Sequence, residues 1–304
     1  MLNPVHLRDL LVDPALHPRG QAHLSAASGL VQVGRCLYVV ADDEHHLGMF
    51  EADAGFAQPV QLHRILPGDL PRNNGKRKTL KPDLEVLALL PAMPGQPHVA
   101  LLALGSGSKP NRQQAFLISL DAEGKPGEAA RSIDLTMLYQ PLREQFADLN
   151  IEGAFIAGQR LHLLQRGNKG DGRNACIEYA WPDFQAWISG VQAIPPRAAR
   201  ISEFALGHLG DVPLGFTDGT PLPGGGWLFS AVAEDTSDSY NDGACAGSVI
   251  GWVGGDGKLQ CLEPIEGAPK VEGIALVGDD RLLMVTDSDD PKVASQLLRL
   301  ELVN

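Results

Sequence analysis

Short apolar runs separated by glycine turns recur along the whole chain, which is the pattern of many short β-strands. In five places an oxygen-bearing residue stands at the start of an apolar run, and a glycine-containing turn leads to a second run. The five copies are Ser28-Gly29-Leu30, Leu84-Glu85-Val86, Ile151-Glu152-Gly153, Thr217-Asp218-Gly219 and Val271-Glu272-Gly273. A repeat of this kind predicts one supersecondary unit for each copy.

Each copy has room for four strands. In the third copy the runs 151–157, 161–164, 175–180 and 199–205 alternate with turns, whereas the fifth copy ends after its third run. The segment 4–11 at the other end resembles 59–66, the fourth run of the first copy. We therefore expect the N-terminal strand to complete the last unit.

A closed ring of four-stranded units is a β-propeller, and successive anchors lie 57, 67, 66 and 54 residues apart. A linear solenoid is less consistent with these ends, because its ends would be caps instead of complementary halves. The prediction is one all-β domain over 1–304, a five-bladed propeller of four-stranded antiparallel blades. Its blades cover about 24–70, 78–137, 149–206, 214–265 and 270–304 plus 4–11. The pattern also predicts a helix over 138–149 and a basic loop over 68–81.

Composition narrows the function. The formal net charge of -12 argues against a nucleic-acid partner, which requires a basic surface. The four cysteines, Cys36, Cys176, Cys245 and Cys261, are far apart and form no zinc or disulfide pattern. The N-terminus shows no signal peptide and the chain no membrane span. We expect a monomer that binds a small anionic molecule, cytoplasmic as given, or periplasmic or secreted if a signal was removed.

The five anchors define the first candidate site. In a propeller the first strand of each blade lines the central channel, so the anchors would form a ring of oxygen ligands. The members of this ring are Ser28, Glu85, Glu152, Asp218 and Glu272. Four carboxylates this close need a positive neighbour to stay ionised, and calcium, which prefers oxygen ligands, would provide it; another divalent cation is also possible. The alternative is that these side chains only hydrogen-bond to neighbouring backbone.

The same residues resemble a known family. The order Ser, Glu, Glu, Asp, Glu, one per blade, is similar to the calcium-activated nucleotidases, a five-bladed apyrase family. The segment Lys270-Val271-Glu272-Gly273-Ile274 resembles that family's last blade, and 28–30 through 37–43 resembles its first. This resemblance implies a central calcium held by one Ser or Glu per blade. Asp218 stands where the family carries Ser. Phytase-like and lactonase-like propellers share the Glu-Gly strands, so fold alone does not fix the reaction.

The second strands end at the same mouth of the channel. Ser28 to Asp42, Glu152 to Arg166 and Glu272 to Thr286 are each 14 residues apart, so these endpoints should be equivalent. Asp42 or Glu234 would orient a water or act as a base. The basic residues that would hold an anionic group are Lys81, Lys109, Arg112, Arg166 and Lys169. Alternatively these are charged surface residues, and Arg166 pairs with Asp42, Glu152 or Glu234.

Three functions remain open. The first is a calcium-dependent hydrolase of a phosphorylated or otherwise anionic small molecule. The second is a non-catalytic propeller with a structural cation that binds a ligand or protein partner, and the third is a lactonase or ester hydrolase. The segment 105–109 is not a P-loop, and no Gly-x-Ser-x-Gly elbow supports a serine hydrolase.

Overall fold

A computed structural model describes residues 1–51, 58–236 and 243–302. These residues form five antiparallel sheets, and the predicted five-bladed propeller is confirmed. The first strand along the chain, β1 (Val5–Asp9), belongs to the last sheet. The other strands follow blade by blade.

Blade one contains β2 (Ala27–Val33), β3 (Cys36–Ala41), β4 (His46–Glu51) and β5 (Gln61–Arg64). Blade two contains β6 (Leu84–Leu90), β7 (Ala100–Gly105), β8 (Gln114–Ser119) and β9 (Arg131–Asp134). Blade three contains β10 (Ile151–Ala157), β11 (Arg160–Gln165), β12 (Asn174–Ala180) and β13 (Arg200–Phe204). Blade four contains β14 (His208–Leu209), β15 (Val212–Pro221), β16 (Trp227–Glu234), β17 (Cys245–Val253) and β18 (Leu259–Pro264). Blade five contains β19 (Val271–Val277), β20 (Arg281–Thr286) and β21 (Gln296–Glu301), and β1 is its fourth strand.

The N-terminal strand closes the ring, as the complementary ends of the sequence predict. Strand β1 pairs antiparallel with β21, with Val5 opposite Arg299. Directly after β1, Leu10 and Val12 are buried in the hydrophobic cluster between blades one and five. Closure therefore joins both backbone pairing and core packing.

The core lies between the blades. The inner strands β2, β6, β10, β15 and β19 each contact the next around the ring, and β19 contacts β2 again. The buried apolar residues among those described form five clusters, one between each pair of neighbouring blades. The alternating inward and outward positions of each strand supply these clusters.

Glycines allow the inner strands to approach closely. A Cβ at Gly29 would lie 2.6 Å from the backbone nitrogen of Leu87, and one at Gly273 would lie 2.7 Å from the carbonyl oxygen of Ser28. A side chain at either position would force neighbouring blades apart. On one side of these contacts is a charged cavity and on the other an apolar cavity, and the two share no wall residue among those described.

Three helices lie outside the blades: α1 (Asn74–Leu80), α2 (Thr136–Arg143) and α3 (Trp181–Ile188). Helix α1 falls in the predicted basic loop, where Asn73 caps it by accepting a hydrogen bond from the Lys76 amide at 2.9 Å. The predicted helix over 138–149 corresponds to α2, which begins and ends earlier. Helix α3 was not predicted. None of the described helices is long and apolar enough to span a membrane, and the four cysteines are all free thiols.

A charged cavity at the channel mouth

One residue bulges out of the pairing ladder in every inner strand. The ladder skips one residue between β2 and β3, and the same happens in the other four blades. The five bulged residues are Ser28, Glu85, Glu152, Thr217 and Glu272. Bulges re-aim side chains and are common beside functional sites. Four of the five anchors chosen from the sequence thus share one structural position.

Blade four differs from the sequence alignment by one residue. Thr217, and not Asp218, occupies the bulge, and its hydroxyl donates to the Val271 carbonyl at 2.8 Å. The Asp218 carboxylate accepts hydrogen bonds from the amides of Gly219 (2.7 Å) and Ile274 (2.9 Å). It therefore joins the inner strands of blades four and five, and burial raises its pKa well above the usual range. Neither Asp218 nor Ser28, which donates to the Ala26 carbonyl at 3.1 Å, is among the described wall residues of the charged cavity.

The charged cavity, called the central cavity below, opens at the channel mouth and encloses about 70 Å³ accessible to water. That volume accommodates a few water molecules or one small hydrated group. Eight carboxylates and five basic side chains line it, an excess of three negative charges among the described wall residues. The carboxylates belong to Asp42, Asp83, Glu85, Glu152, Glu234, Glu272, Asp287 and Asp289, and the basic groups to Lys78, Lys81, Arg112, Arg166 and Lys270.

Arg166 connects blades three, four and five. Its guanidinium nitrogens lie 2.5 Å from Glu234 Oε2, 3.4 Å from Glu152 Oε2 and 3.7 Å from Glu272 Oε1. Burial alone would lower the pKa of Arg166, but these carboxylates outweigh it and raise the pKa. Glu234 also accepts a hydrogen bond from the Gly243 amide at 2.9 Å. The pairing of Arg166 with Glu152 and Glu234 is the structural role that the sequence left open.

Lys270 is a second internal cation that the sequence reasoning missed. Its Nζ lies 2.6 Å from Asp289 Oδ1, 3.4 Å from Glu272 Oε1 and 3.8 Å from Glu234 Oε2. Its pKa is raised well above the usual range, because these carboxylates outweigh the effect of burial. A signal was available in the sequence: Lys270 stands two residues before its bulge. Asp83 and Asn150 stand at the same place in blades two and three, and both line the cavity.

A separate set of ion pairs belongs to blades one and two. Lys81 Nζ pairs with the Asp42 carboxylate and lies 2.9 Å from Asp83 Oδ1. Arg112 Nη1 donates to Asp83 Oδ2 at 2.8 Å, and the Ser106 hydroxyl donates to the same oxygen at 2.5 Å. Burial raises the pKa of Asp83, but Lys81 and Arg112 outweigh it, so the pKa lies below the usual range.

Glu85 differs from the other bulged carboxylates. Glu152 accepts a hydrogen bond from Asn150, two residues before it, and Glu272 lies near Lys270. The equivalent neighbour of Glu85 is Asp83, another acid, and no group in the described part of the chain donates a hydrogen bond to Glu85. Burial, reinforced by the charges of Glu152, Asp83 and Asp42, raises the pKa of Glu85 well above the usual range.

Oxygens of Asp42, Asp83 and Glu85 lie within 4.8 Å of one another. It is the one group of three or more potential metal-ligating side chains this close together among the residues that the structure describes. Oxygen donors of this kind suit hard cations such as calcium. The side chains that converge are thus Glu85 and two acids from outside the predicted ring.

Two of the cavity carboxylates titrate near neutral pH. Burial raises the pKa of Glu152 to about 8, in spite of the opposing charge of Arg166. Burial also raises the pKa of Asp42 to about 6, against the pull of Lys81. Carboxyl groups in this range can transfer protons at physiological pH.

Backbone strain is also concentrated at the cavity. Three non-glycine residues among those described have a left-handed φ, and two of them, Asp83 (56°) and Asp289 (54°), line the cavity. Aspartate tolerates this conformation better than most residues, but it is uncommon and is often associated with functional sites.

The predicted rim residues divide into two groups. Asp42, Glu234, Arg166, Lys81 and Arg112 line the central cavity. The others, Lys109 and Lys169, are not among its described wall residues, and Lys169 pairs with Asp235 on the exposed surface.

The repeat position of Arg166 also needs one adjustment. The amides of Asp42, Arg166 and Asp287 each donate to the carbonyl two residues before the bulge of their own blade. Asp287, and not Thr286, is therefore equivalent to Arg166, because the hairpin between β19 and β20 is one residue longer than in blade one.

Fold and site together define a class of protein: a five-bladed β-propeller with a closed inner ring and an acidic, ion-paired cavity at one mouth. Within that class the chain belongs to a family of unknown function (DUF6929), whose model matches residues 23–302. No curated protein matches the chain.

Solved structures support the fold assignment. The glutaminyl cyclase of Myxococcus xanthus is similar over 100% of this chain and 99% of its own, with 13% identity and a TM-score of 0.50. Regucalcin from Agrobacterium tumefaciens, a calcium-binding protein, has 10% identity, a TM-score of 0.45 and coverage of 99% and 96%. A protein of unknown function from Bacteroides caccae has 12% identity and a TM-score of 0.37; 84% of this chain matches, and it spans 66% of that protein. At these identities the likeness concerns the fold alone.

Proposed function

We propose that this protein is a calcium-dependent hydrolase that acts on a small phosphorylated or otherwise anionic molecule in the central cavity. The observation that carries the proposal is Glu85, a carboxylate in the cavity wall without a hydrogen-bond donor, beside Asp42 and Asp83. A carboxylate in this environment requires a proton or a cation. The resemblance of the repeat anchors to the calcium-activated nucleotidases supports the second choice.

The donor set fits calcium. This ion takes roughly six to eight oxygen ligands in irregular geometry, and water can complete the set. Asp42, Asp83 and Glu85 would hold it, with the Lys81 ammonium as their competing partner. When bound, calcium would polarise a phosphoryl or carbonyl oxygen of the substrate.

Charge balance links the cation to an anionic substrate. The basic side chains Arg166, Lys81, Lys270 and Arg112 are already paired with carboxylates of the cavity. An anion entering the cavity would therefore meet an excess of negative charge, and a divalent cation reduces that excess by two. The expected role of Arg166 is to hold Glu152, Glu234 and Glu272 in place beside the substrate.

Two carboxyl groups are suited to proton transfer. Glu152, with a pKa of about 8, carries a proton at neutral pH and would serve as the acid. Asp42, with a pKa of about 6, is mostly ionised at the same pH and would serve as the base. Glu234 was the other candidate base, but its Oε2 receives the Arg166 guanidinium and its Oε1 the Gly243 amide, so it is suited to holding Arg166.

A non-catalytic propeller with a structural cation is the second candidate. The saturation of the basic side chains by internal partners favours it, because no cationic group is set aside for a substrate in the described ion pairs. A lactone or ester substrate would use the same cavity and is included in the assay below.

The test is calcium titration followed by a turnover assay. Calcium at about 100 times its Kd should stabilise the fold by roughly 2.7 kcal/mol, and chelator should reverse the shift. Glu85→Gln should abolish the shift. Asp218→Asn is the matched control: it also changes a buried acid of an inner strand, but one bonded to backbone, and should retain the shift.

Turnover is then measured on nucleotides, sugar phosphates, phytate, lactones and esters, with calcium and with chelator. Phosphate release that requires calcium supports the hydrolase. A calcium shift without turnover on any substrate favours the structural cation. A shift of equal size in Glu85→Gln would contradict the proposed site.

A further inference from the structure

Helix α1 lies between two cavities. A second cavity of about 80 Å³, called the outer cavity, adjoins the central one. The two share the wall residues Asp42, Lys78, Lys81, Asp287 and Asp289. The outer cavity is also lined by Asn74 and Arg77 of α1 and by Asp290 and Pro291 after β20. Helix α1 and the Lys81–Asp42 pair therefore stand between the central cavity and the outer one.

The hydrophobic core does not hold α1 in this place. Arg77 is the one buried residue of the helix, and Leu80, its single large apolar side chain, is 62% exposed. A seven-residue helix has little stability of its own, because most helical stability in proteins comes from packing an apolar face. Other contacts must therefore hold it over the cavity.

Polar contacts do so, and Arg77 makes the buried one. Its Nε lies 2.8 Å from Asp43 Oδ2, with side chains that are 5% and 11% exposed. At the far end of the helix Asn111 donates to the carbonyls of Thr79 (3.3 Å) and Lys81 (3.1 Å). Asp43 is fixed independently of α1, because Arg19 Nη2 lies 3.3 Å from the same oxygen. The Asp43–Arg77 pair thus anchors the helix to blade one.

We propose that α1 is a lid on the central cavity and that Arg77 is the positioning residue that holds it closed. Arg77 is not among the described wall residues of the central cavity, so it acts on the site through Lys81, which follows α1 directly. The ligand that passes the lid is a hydrated calcium ion. To this extent the inference rests on the proposed function.

A lid of this kind controls rates more than affinity. In Arg77→Met the lid should open more often, so the association and dissociation rates of calcium should both rise, by roughly tenfold, while Kd changes less than threefold. Arg19→Met is the matched control, because it removes the other arginine of the same Asp43 oxygen without touching α1. Arg77→Lys retains the charge and should give intermediate rates.

Three measurements decide the question. Calorimetry gives Kd, stopped-flow release into a fluorescent chelator gives the dissociation rate, and hydrogen exchange without calcium reports on α1. The amides of Arg77 and Lys81 bond to the carbonyls of Asn73 and residue 77 within the helix. The proposal predicts faster exchange at these two amides in Arg77→Met and little change in Arg19→Met.

Unchanged calcium rates in Arg77→Met, or equal rates in both arginine variants, would overturn the lid. If the wild-type protein binds no calcium, the proposed function fails, and the exchange measurement alone decides about α1: selective acceleration supports the lid, and no change or uniform acceleration refutes it. If Arg77→Met does not fold, the same comparison is made with Arg77→Lys.

Discussion

Replacing Arg166 by methionine tests the reading of the cavity as an internal ion-pair network. Methionine keeps an unbranched apolar side chain but removes the charge. Three carboxylates, Glu152, Glu234 and Glu272, would lose the guanidinium that lies 2.5 to 3.7 Å from their oxygens. Because the Arg166 side chain is only 10% exposed, water cannot replace it fully.

The magnitude follows from the burial of these charges. Removing one partner of a buried pair costs about 3–5 kcal/mol, because the other charge is left without compensation. At about 2 °C for each kcal/mol, the expected fall in Tm is roughly 6–10 °C. Arg281→Met is the control, because Arg281 is 51% exposed and its nearest acid is 4.0 Å away, so its Tm should hardly change.

The pH dependence of the loss gives a second check. The charge of Arg166 lowers the pKa of Glu152, so its removal raises that pKa further. The native variant then holds the proton to a higher pH than the unfolded chain, and its deficit in stability grows as pH rises above about 4.5. Chemical unfolding at pH 5 and pH 8.5 should show the larger deficit at pH 8.5. An Arg166→Met protein with the wild-type Tm at both pH values would refute the network, and loss of anion binding alone would assign Arg166 to the ligand.

Two further predictions follow from the same structure. Deleting residues 1–12 removes β1 and the buried Leu10 and Val12, whose burial contributes about 1.5–3 kcal/mol each, so a lower Tm and association through the exposed edge of β21 are expected in melting and size-exclusion experiments; a truncated protein with the full-length Tm would contradict ring closure. The stability of the wild-type protein should fall between about pH 4.5 and 8 in the absence of calcium, because the raised pKa values of Glu152 (about 8) and Asp42 (about 6) mean that the native state binds more protons than the unfolded chain there. Calcium, which competes with those protons, should stabilise more at pH 8.5 than at pH 5.5, and a calcium shift that is larger at pH 5.5 would contradict carboxylate ligands.

The fold was predictable because its information is repeated. Five anchors at similar spacing and two complementary ends, 4–11 and 297–302, indicate a closed ring without knowledge of any single contact. Helix α3 was not predicted, because its buried aromatic residues Trp181, Phe184 and Trp187 cover a blade and do not form part of the repeat. Helix α1 was read as a loop, because its residues are almost all polar and exposed.

The cavity was predictable only in part. The acids and bases at the strand ends could be found, since strand ends in equivalent repeats meet at one mouth. The alignment of Asp218 with the other anchors followed residue type, because Asp-Gly resembles Glu-Gly, whereas the bulge that selects Thr217 depends on pairing with β16. Lys270 and Asp83 were missed because their meaning depends on the carboxylates they contact.

The bulges also separate the scaffold from the chemistry in an evolutionary sense. A bulged residue lies outside the hydrogen-bonded ladder, so its side chain can be exchanged without shifting the register of the strand around it. The five positions already hold a serine, three glutamates and a threonine on one architecture. Each blade can therefore change its contribution to the cavity independently, and a propeller of this family can acquire a new specificity one blade at a time while its core remains the same.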